Sequence, residues 1–309
     1  EADNPKILKA AQIMRDEKIG IPILLGNKQK INKLIKANSL DLEDIIVIDP
    51  NEQKAKLKQY GQLLYDKRKR KGLTLYEAKK LMKDRNYFGA MMVELGEGDA
   101  LISGLTKDYP RTILPSLQII GVKKGVNKVA GMYIMNSDKG PLFFADTTVN
   151  EDPTADELVE IIGLTANGVR FFDIEPKIAI LSYSNFGSAK GKVPLKTALA
   201  TTKAKAQYPD LVIEGEMQAN VALDEGIQKE NYPFSALINN KANTLIFPDL
   251  ASGNIAYKLV AEVGNAEAIG PILLGMNKSV HILQLGSSIR EIVNMVAIAV
   301  VDAQTIESE

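Results

Sequence analysis

The sequence predicts an α/β protein built from two domains. Short apolar runs of strand length alternate with helical stretches of a dozen or so residues along the whole chain. The 309 residues exceed the usual size of one domain, and a composition 45% hydrophobic and 25% charged is that of an ordinary globular protein. Such alternation implies mostly parallel sheets with helices on both faces.

Helical spacing of Ile7, Leu8, Ala11 and Met14 gives a helix over 7–15, and Ile21-Pro22-Ile23-Leu24-Leu25 a buried strand closed by Gly26. Helix 28–37 and strand 45–48 follow, then a charged helical stretch over 53–69, broken at Gly72. Its end, Asp66 to Lys71, is basic among acidic neighbours and reads as a solvated helix end. Helices 75–83 and 87–95, strand 100–102 and helix 112–120 come next. Strands 129–135 and 141–145 flank Ser137-Asp138-Lys139-Gly140, a hairpin-turn signal. Thr154 caps a helix reaching Phe171, with Glu157 completing a capping box. Strands at 177–181, 211–214, 244–247, 269–273 and 280–283 alternate with helices, and an apolar helix covers 288–304. The polar junction Asn150-Glu151-Asp152-Pro153 divides the domains: 1–150, completed by 275–309, and 151–274.

Composition removes several function classes. Lys plus Arg and Asp plus Glu both number 38, which argues against coating nucleic acid or an anionic membrane. The absence of cysteine excludes disulfides, thiolate nucleophiles and Cys-based metal sites, and the single histidine, His281, excludes a histidine metal cage. His281 lies in Val280-His281-Ile282-Leu283, where a satisfied core histidine is expected. No apolar run reaches the ~20 residues that span a bilayer, and the first residues are not a signal peptide, so a cytoplasmic location is expected. A polar start without methionine suggests a piece of a longer polypeptide.

Three loops follow expected strands, where open α/β sheets bind ligands. Ser182 to Lys190 carries Ser184, Gly187 and Ser188, whose hydroxyls and backbone N–H groups suit either an anion or a plain helix cap. In Phe247 to Lys258, Asp249 is a good N-cap, and Asn254 and Lys258 share a helical face. In Leu283 to Asn294, Ser287 or Ser288 caps the last helix, and Glu291 lies in its first turn.

Read together, these loops resemble the phosphate acetyltransferase/butyryltransferase family over nearly the whole chain. The resemblance rests on Tyr87-Phe88-Gly89-Ala90-Met91-Met92-Val93, Phe143-Phe144-Ala145-Asp146, Leu181-Ser182-Tyr183-Ser184 with Gly187-Ser188-Ala189, Phe247-Pro248-Asp249 with Gly253-Asn254, and Glu267-Ala268-Ile269-Gly270-Pro271. It implies two α/β/α domains with a cleft between them, a dimer or higher homo-oligomer, and transfer of an acetyl group between CoA and phosphate. It also implies one more strand before the first helix than this sequence carries. Ligand contacts are then expected at Ser184, Gly187, Ser188, Asn254, Lys258, Gln284, Glu291 and Asn294.

The sequence departs from the family pattern where the chemistry lies. The family loop Gly-Ala-x-His-(Ser/Thr)-Thr-Ala-Asp-Thr-x-Arg-Pro corresponds to Gly104 to Pro115, so Lys107 replaces the histidine and Leu114 the arginine. The family Leu-Ser-Arg-Gly corresponds to Leu283-Gln284-Leu285-Gly286, so Gln284 replaces the oxyanion serine and Leu285 a second arginine. Glu291 stands at the proton-accepting aspartate. Each lost arginine removes about 2–4 kcal/mol of anion stabilisation, with Lys107 and Arg111 as candidate substitutes. The variant loops resemble the acetyltransferase-like C-terminal domain of bacterial NADP-dependent malic enzymes. That implies a regulatory domain with acetyl-CoA as effector and no cofactor of its own; NADP and a divalent metal would serve an oxidoreductase module outside this sequence. The alternative is an active phosphate acyltransferase.

Overall fold

The computed structural model describes residues 1–138 and 140–308. Its strands are β1 (Ile23–Leu25), β2 (Ile46–Ile48), β3 (Ala100–Ser103), β4 (Ala130–Ser137), β5 (Gly140–Ala145), β6 (Lys177–Leu181), β7 (Val212–Met217), β8 (Thr244–Ile246), β9 (Glu267–Leu274) and β10 (Ser279–Ile282). The chain divides into two compact units, residues 1–124 with 276–309, and residues 125–275.

In the first unit β1 pairs with β2 and β3 with β10, both parallel. Asn4 caps the helix Pro5–Asp16 through its Oδ1 on Lys6 N (2.9 Å), and that helix packs on Ile289–Ser308. Its buried Leu8 joins Leu24, Ile31 and Leu42 in one apolar cluster. β1 and β3 line opposite parts of a cavity of about 540 Å³. Gly26 N donates to Ile48 O and Leu283 N to Ser103 O. Strand alternation therefore turns the backbone groups of Ile23, Leu25 and Ile102 the other way, where Ala2 N donates to Leu25 O (3.4 Å) and Ile23 and Ile102 face this cavity. Asn86 also lines it, 2% exposed; its Oδ1 accepts from Ser103 Oγ at 2.8 Å, while its Nδ2 has no partner among the described residues.

The second unit is one six-stranded sheet in the order β7-β6-β8-β5-β4-β9. β7, β6, β8 and β5 run parallel; β4 is antiparallel to β5 and β9. The boundary thus falls at 124/125 and not at 150: β4 and β5 pair with β9 and β8, which carries residues 130–145 into the second sheet. The expected turn between them is present as a hairpin, with Ser137 opposite Gly140 and Lys139 outside the described residues. Thr154 and Glu157 form the expected capping box.

Two spans differ from expectation for local reasons. The helix expected from Thr112 starts at Tyr109, because Asp108 Oδ1 accepts from Arg111 N (3.0 Å) and Pro110 fits the first turn. β7 runs on to Met217 through a register shift: Ile180 is opposite Gly215 and Leu181 opposite Met217, leaving Glu216 as the extra residue of a bulge. No helix among the described residues is long and apolar enough to cross a membrane.

Candidate functional site

The loop after β6 folds around a carboxylate that belongs to the chain itself. Ser184, fully buried, donates through Oγ to Glu216 Oε1 at 2.9 Å, and Gly187 N donates to the same oxygen at 2.7 Å. Phe186 N bonds the Glu216 carbonyl (2.8 Å), Gln218 N bonds Asn185 Oδ1 (2.7 Å) and Gln218 Nε2 bonds Tyr183 O (2.9 Å). Ser184 Oγ and Gly187 N, expected to meet a ligand anion, donate inward to Glu216, which at 3% exposed would otherwise be a buried charge without partners. Ser188 accepts from Asn185 N (2.9 Å) as an internal cap and remains exposed.

The loop after β8 starts the helix Leu250–Val263, with Asp249 Oδ1 on Ser252 N at 2.8 Å as expected. Gly253 is required there: a Cβ would stand 2.4 Å from the Asp146 carbonyl oxygen. Asp146, 2% exposed, accepts from the backbone N–H groups of Gly131, Thr148, Val149 and Asn150 at 2.8–3.1 Å. Asn254 Nδ2 ties the helix to the same turn through Thr147 O (3.2 Å), while Lys258 is exposed, its Nζ 5.7 Å from the Tyr257 ring.

Gln284, Leu285, Glu291 and Asn294 belong to the other unit. Glu291 Oε2 accepts from Ser288 N (2.5 Å) and Ser288 Oγ from Glu291 N (3.2 Å), a capping box. Gln284 O accepts from Ser287 Oγ (3.0 Å); Leu285 is 65% exposed, and Asn294 is half-buried. Lys6 Nζ holds the turn through the carbonyls of Gly286 (3.0 Å) and Ser287 (2.9 Å). At the end of β3, the Glu1 carboxylate accepts from Gly104 N (3.0 Å), Leu105 N (2.6 Å) and Thr106 Oγ (2.7 Å).

The candidate substitute cations are paired elsewhere. Lys107 Nζ lies 2.7 Å from Asp84, and Arg111 lies 3.3 Å from Asp108 on the surface. Burial is the largest influence and would raise the Asp84 carboxyl, but the Lys107 bond and charge together with the Asn86 and Tyr87 backbone N–H groups hold it below its usual value. His281, 1% exposed, bonds Asp302 and Ser279 at 3.4 Å, the satisfied core histidine of the sequence reading. Burial is again the largest influence and opposes charge on Asp302, and His281 with Ser279 and Lys123 together lower it below its usual value.

Sequence reasoning missed Glu216, Asp146, Glu1 and Lys6. A signal existed for the first: Glu214-Gly215-Glu216 puts two acids around a glycine in an otherwise apolar strand.

The family model described as "Phosphate acetyl/butaryl transferase" matches residues 1–300. The phosphate acetyltransferase of Helicobacter pylori is 39% identical over 305 residues, 98% of this chain and 58% of that protein. The chain thus spans little more than half of that relative, and 43% of two others. The phosphate acetyltransferase of Clostridium acetobutylicum is 38% identical over 98% of this chain and 93% of its own length. Among solved structures, a phosphotransacetylase from Streptococcus pyogenes superimposes with a TM-score of 0.88 at 35% identity, covering 100% of this chain and 93% of that one. An NADP-dependent malic enzyme of Haemophilus influenzae also matches, 38% identical over 98% of this chain and 40% of that protein. The expectation of a malic-enzyme oxidoreductase using NADP is corrected by these matches: relatives of equal or higher identity along the whole chain are named phosphate acetyltransferases. The variant loops misled because they are short, and the rest of the chain outweighs them.

Proposed function

The chain belongs to the phosphate acetyl/butaryl transferase family, and on that premise we propose that it is a phosphate acyltransferase moving a short acyl group, acetyl first, between CoA and phosphate. The observation that carries the reading is the match of residues 1–300 to that family. In the forward step the CoA sulfur forms a bond to the acyl carbon of acetyl phosphate, the carbon–oxygen bond to phosphate breaks, and inorganic phosphate leaves. The thiol proton goes to a carboxylate. Glu291 is the candidate acceptor: Oε2 is engaged at Ser288 N, so Oε1 is the oxygen to take the proton. Gln284 replaces a serine hydroxyl with an amide N–H donor for the oxyanion.

A second reading, CoA-ester binding without turnover, draws on Leu114 and Leu285. Both are exposed apolar side chains where the resemblance implies arginines, and Lys107 is tied to Asp84. Calorimetric titration with acetyl-CoA, followed by an assay of acetyl phosphate formation from acetyl-CoA and inorganic phosphate, separates the two. Phosphate-dependent turnover is expected. Binding without turnover favours the second reading, and neither binding nor turnover sinks both.

A homo-oligomer belongs to the same proposal. Ile255, Leu259 and Val263 recur every fourth residue on one face of the helix Leu250–Val263 and are exposed, which suits the apolar face of a second copy. Light scattering of Leu259→Asp against the parent checks it: the parent is expected to exceed monomer mass and the variant to fall towards it.

A further inference from the structure

We propose that Glu216 is a positioning residue: its buried carboxylate holds the Ser182–Lys190 loop in the shape that offers Ser188 and Lys190 to the phosphates of CoA. The proposal rests on the acyltransferase reading.

Three observations carry it. The bulge in β7 has Glu216 as its extra residue, which breaks the normal strand alternation at that point. Gly215 makes that bulge possible, since a Cβ there would stand 2.8 Å from Ile180 O. Glu216 then grips the loop at both ends of its own structure, the carboxylate on Ser184 Oγ and Gly187 N and the carbonyl on Phe186 N.

The consequence is a division of labour within the loop. Ser184, already bonded inward, accepts from Ala189 N at 3.1 Å and so fixes the chain just beyond Ser188. Ser188 and Lys190 are left at the surface two residues apart: the Ser188 hydroxyl gives up only a 3.3 Å contact to Ser184 Oγ to reach outward, and Lys190 carries an ammonium, the donor types that phosphate oxygens take. Glu216 touches no ligand in this scheme. Its charge is consumed by the two bonds that keep the inner half of the loop rigid.

The test uses steady-state kinetics of the full chain in the acetyl phosphate assay, with both substrates varied. Glu216→Ala is expected to raise KM for CoA about tenfold or more, as two bonds to a charged acceptor are lost, with kcat and KM for phosphate within about threefold. Glu216→Gln keeps an acceptor oxygen at Oε1 and is expected to recover most of the CoA affinity. Ser188→Ala and Lys190→Ala are expected to raise KM for CoA about threefold or more without moving KM for phosphate.

Should Glu216→Ala fail to fold, Ser184→Ala removes one of the two bonds and is read in the same assay. A folded Glu216→Ala or Ser184→Ala variant with unchanged KM for CoA overturns the proposal, as does a parallel rise in both KM values. If the parent chain neither binds nor acylates CoA, the acyltransferase reading has failed, and the proposal falls with it. An active parent with an insensitive Glu216→Ala refutes the proposal alone.

Discussion

Asp146 offers a large single-residue effect on the second unit. Its carboxylate gathers four backbone N–H groups and the Asn150 side-chain amide, Oδ1 serving Gly131, Thr148 and Val149 and Oδ2 serving Asn150. Two of the four backbone donors belong to buried residues, Gly131 and Asn150, which have no water to turn to when the acceptor is removed. Each such orphan costs about 1–3 kcal/mol, and the half-buried Thr148 and Val149 add less. Asp146→Ala is therefore expected to lose about 3–5 kcal/mol. Urea titration followed by far-ultraviolet circular dichroism measures the loss as a lower midpoint at unchanged slope. Asp146→Asn keeps one oxygen but turns an NH2 group towards one set of donors, so it should fall between the parent and the alanine variant. A loss below about 1 kcal/mol for Asp146→Ala would refute the reasoning, because it would mean the turn re-solvates its donors freely.

Other outcomes follow from the same geometry. Gly253→Ala places a methyl group 2.4 Å from Asp146 O, so an exchange that normally stabilises a helix interior by about 1 kcal/mol should instead cost about 1–3 kcal/mol, read from the same titration. Asp84 is held below its ordinary value when folded, so it binds its proton less tightly folded than unfolded. The stability it contributes is complete above the unfolded value near ~3.9 and is lost as pH falls through the lower, folded value. Lys107→Met should therefore flatten the acid limb of the stability profile and leave its neutral region nearly level. In amide exchange, Ile23 and Ile102, whose backbone groups are turned away from the paired strands, should exchange at least about tenfold faster than Leu24 and Leu101, which are turned to the paired sides.

The alternation of strands and helices was legible because each element records its own period in its own residues. Thr154 and Glu157, Asp249 and Ser252, and Ser288 and Glu291 were readable for the same reason: the cap and its partner lie within one turn. The domain boundary was not, because β5 and β8 pair across a hundred residues of sequence. Asn150 to Pro153 reads as a linker, yet Leu250 N bonds Glu151 O, so this stretch is stitched into the second unit.

The loop after β6 shows the limit most sharply. Serines and a glycine after a strand say that donors are present, and the residue types are right for an anion. They do not say which anion. Glu216 lies 32 residues beyond Ser184 and reaches it only because β7 pairs with β6 and carries one residue too many. Local sequence fixes what a loop can bond, while the neighbouring strand decides which bonds are already made. Any ligand reading of a donor-rich loop therefore has to begin by finding the buried acids at the ends of the strands beside it.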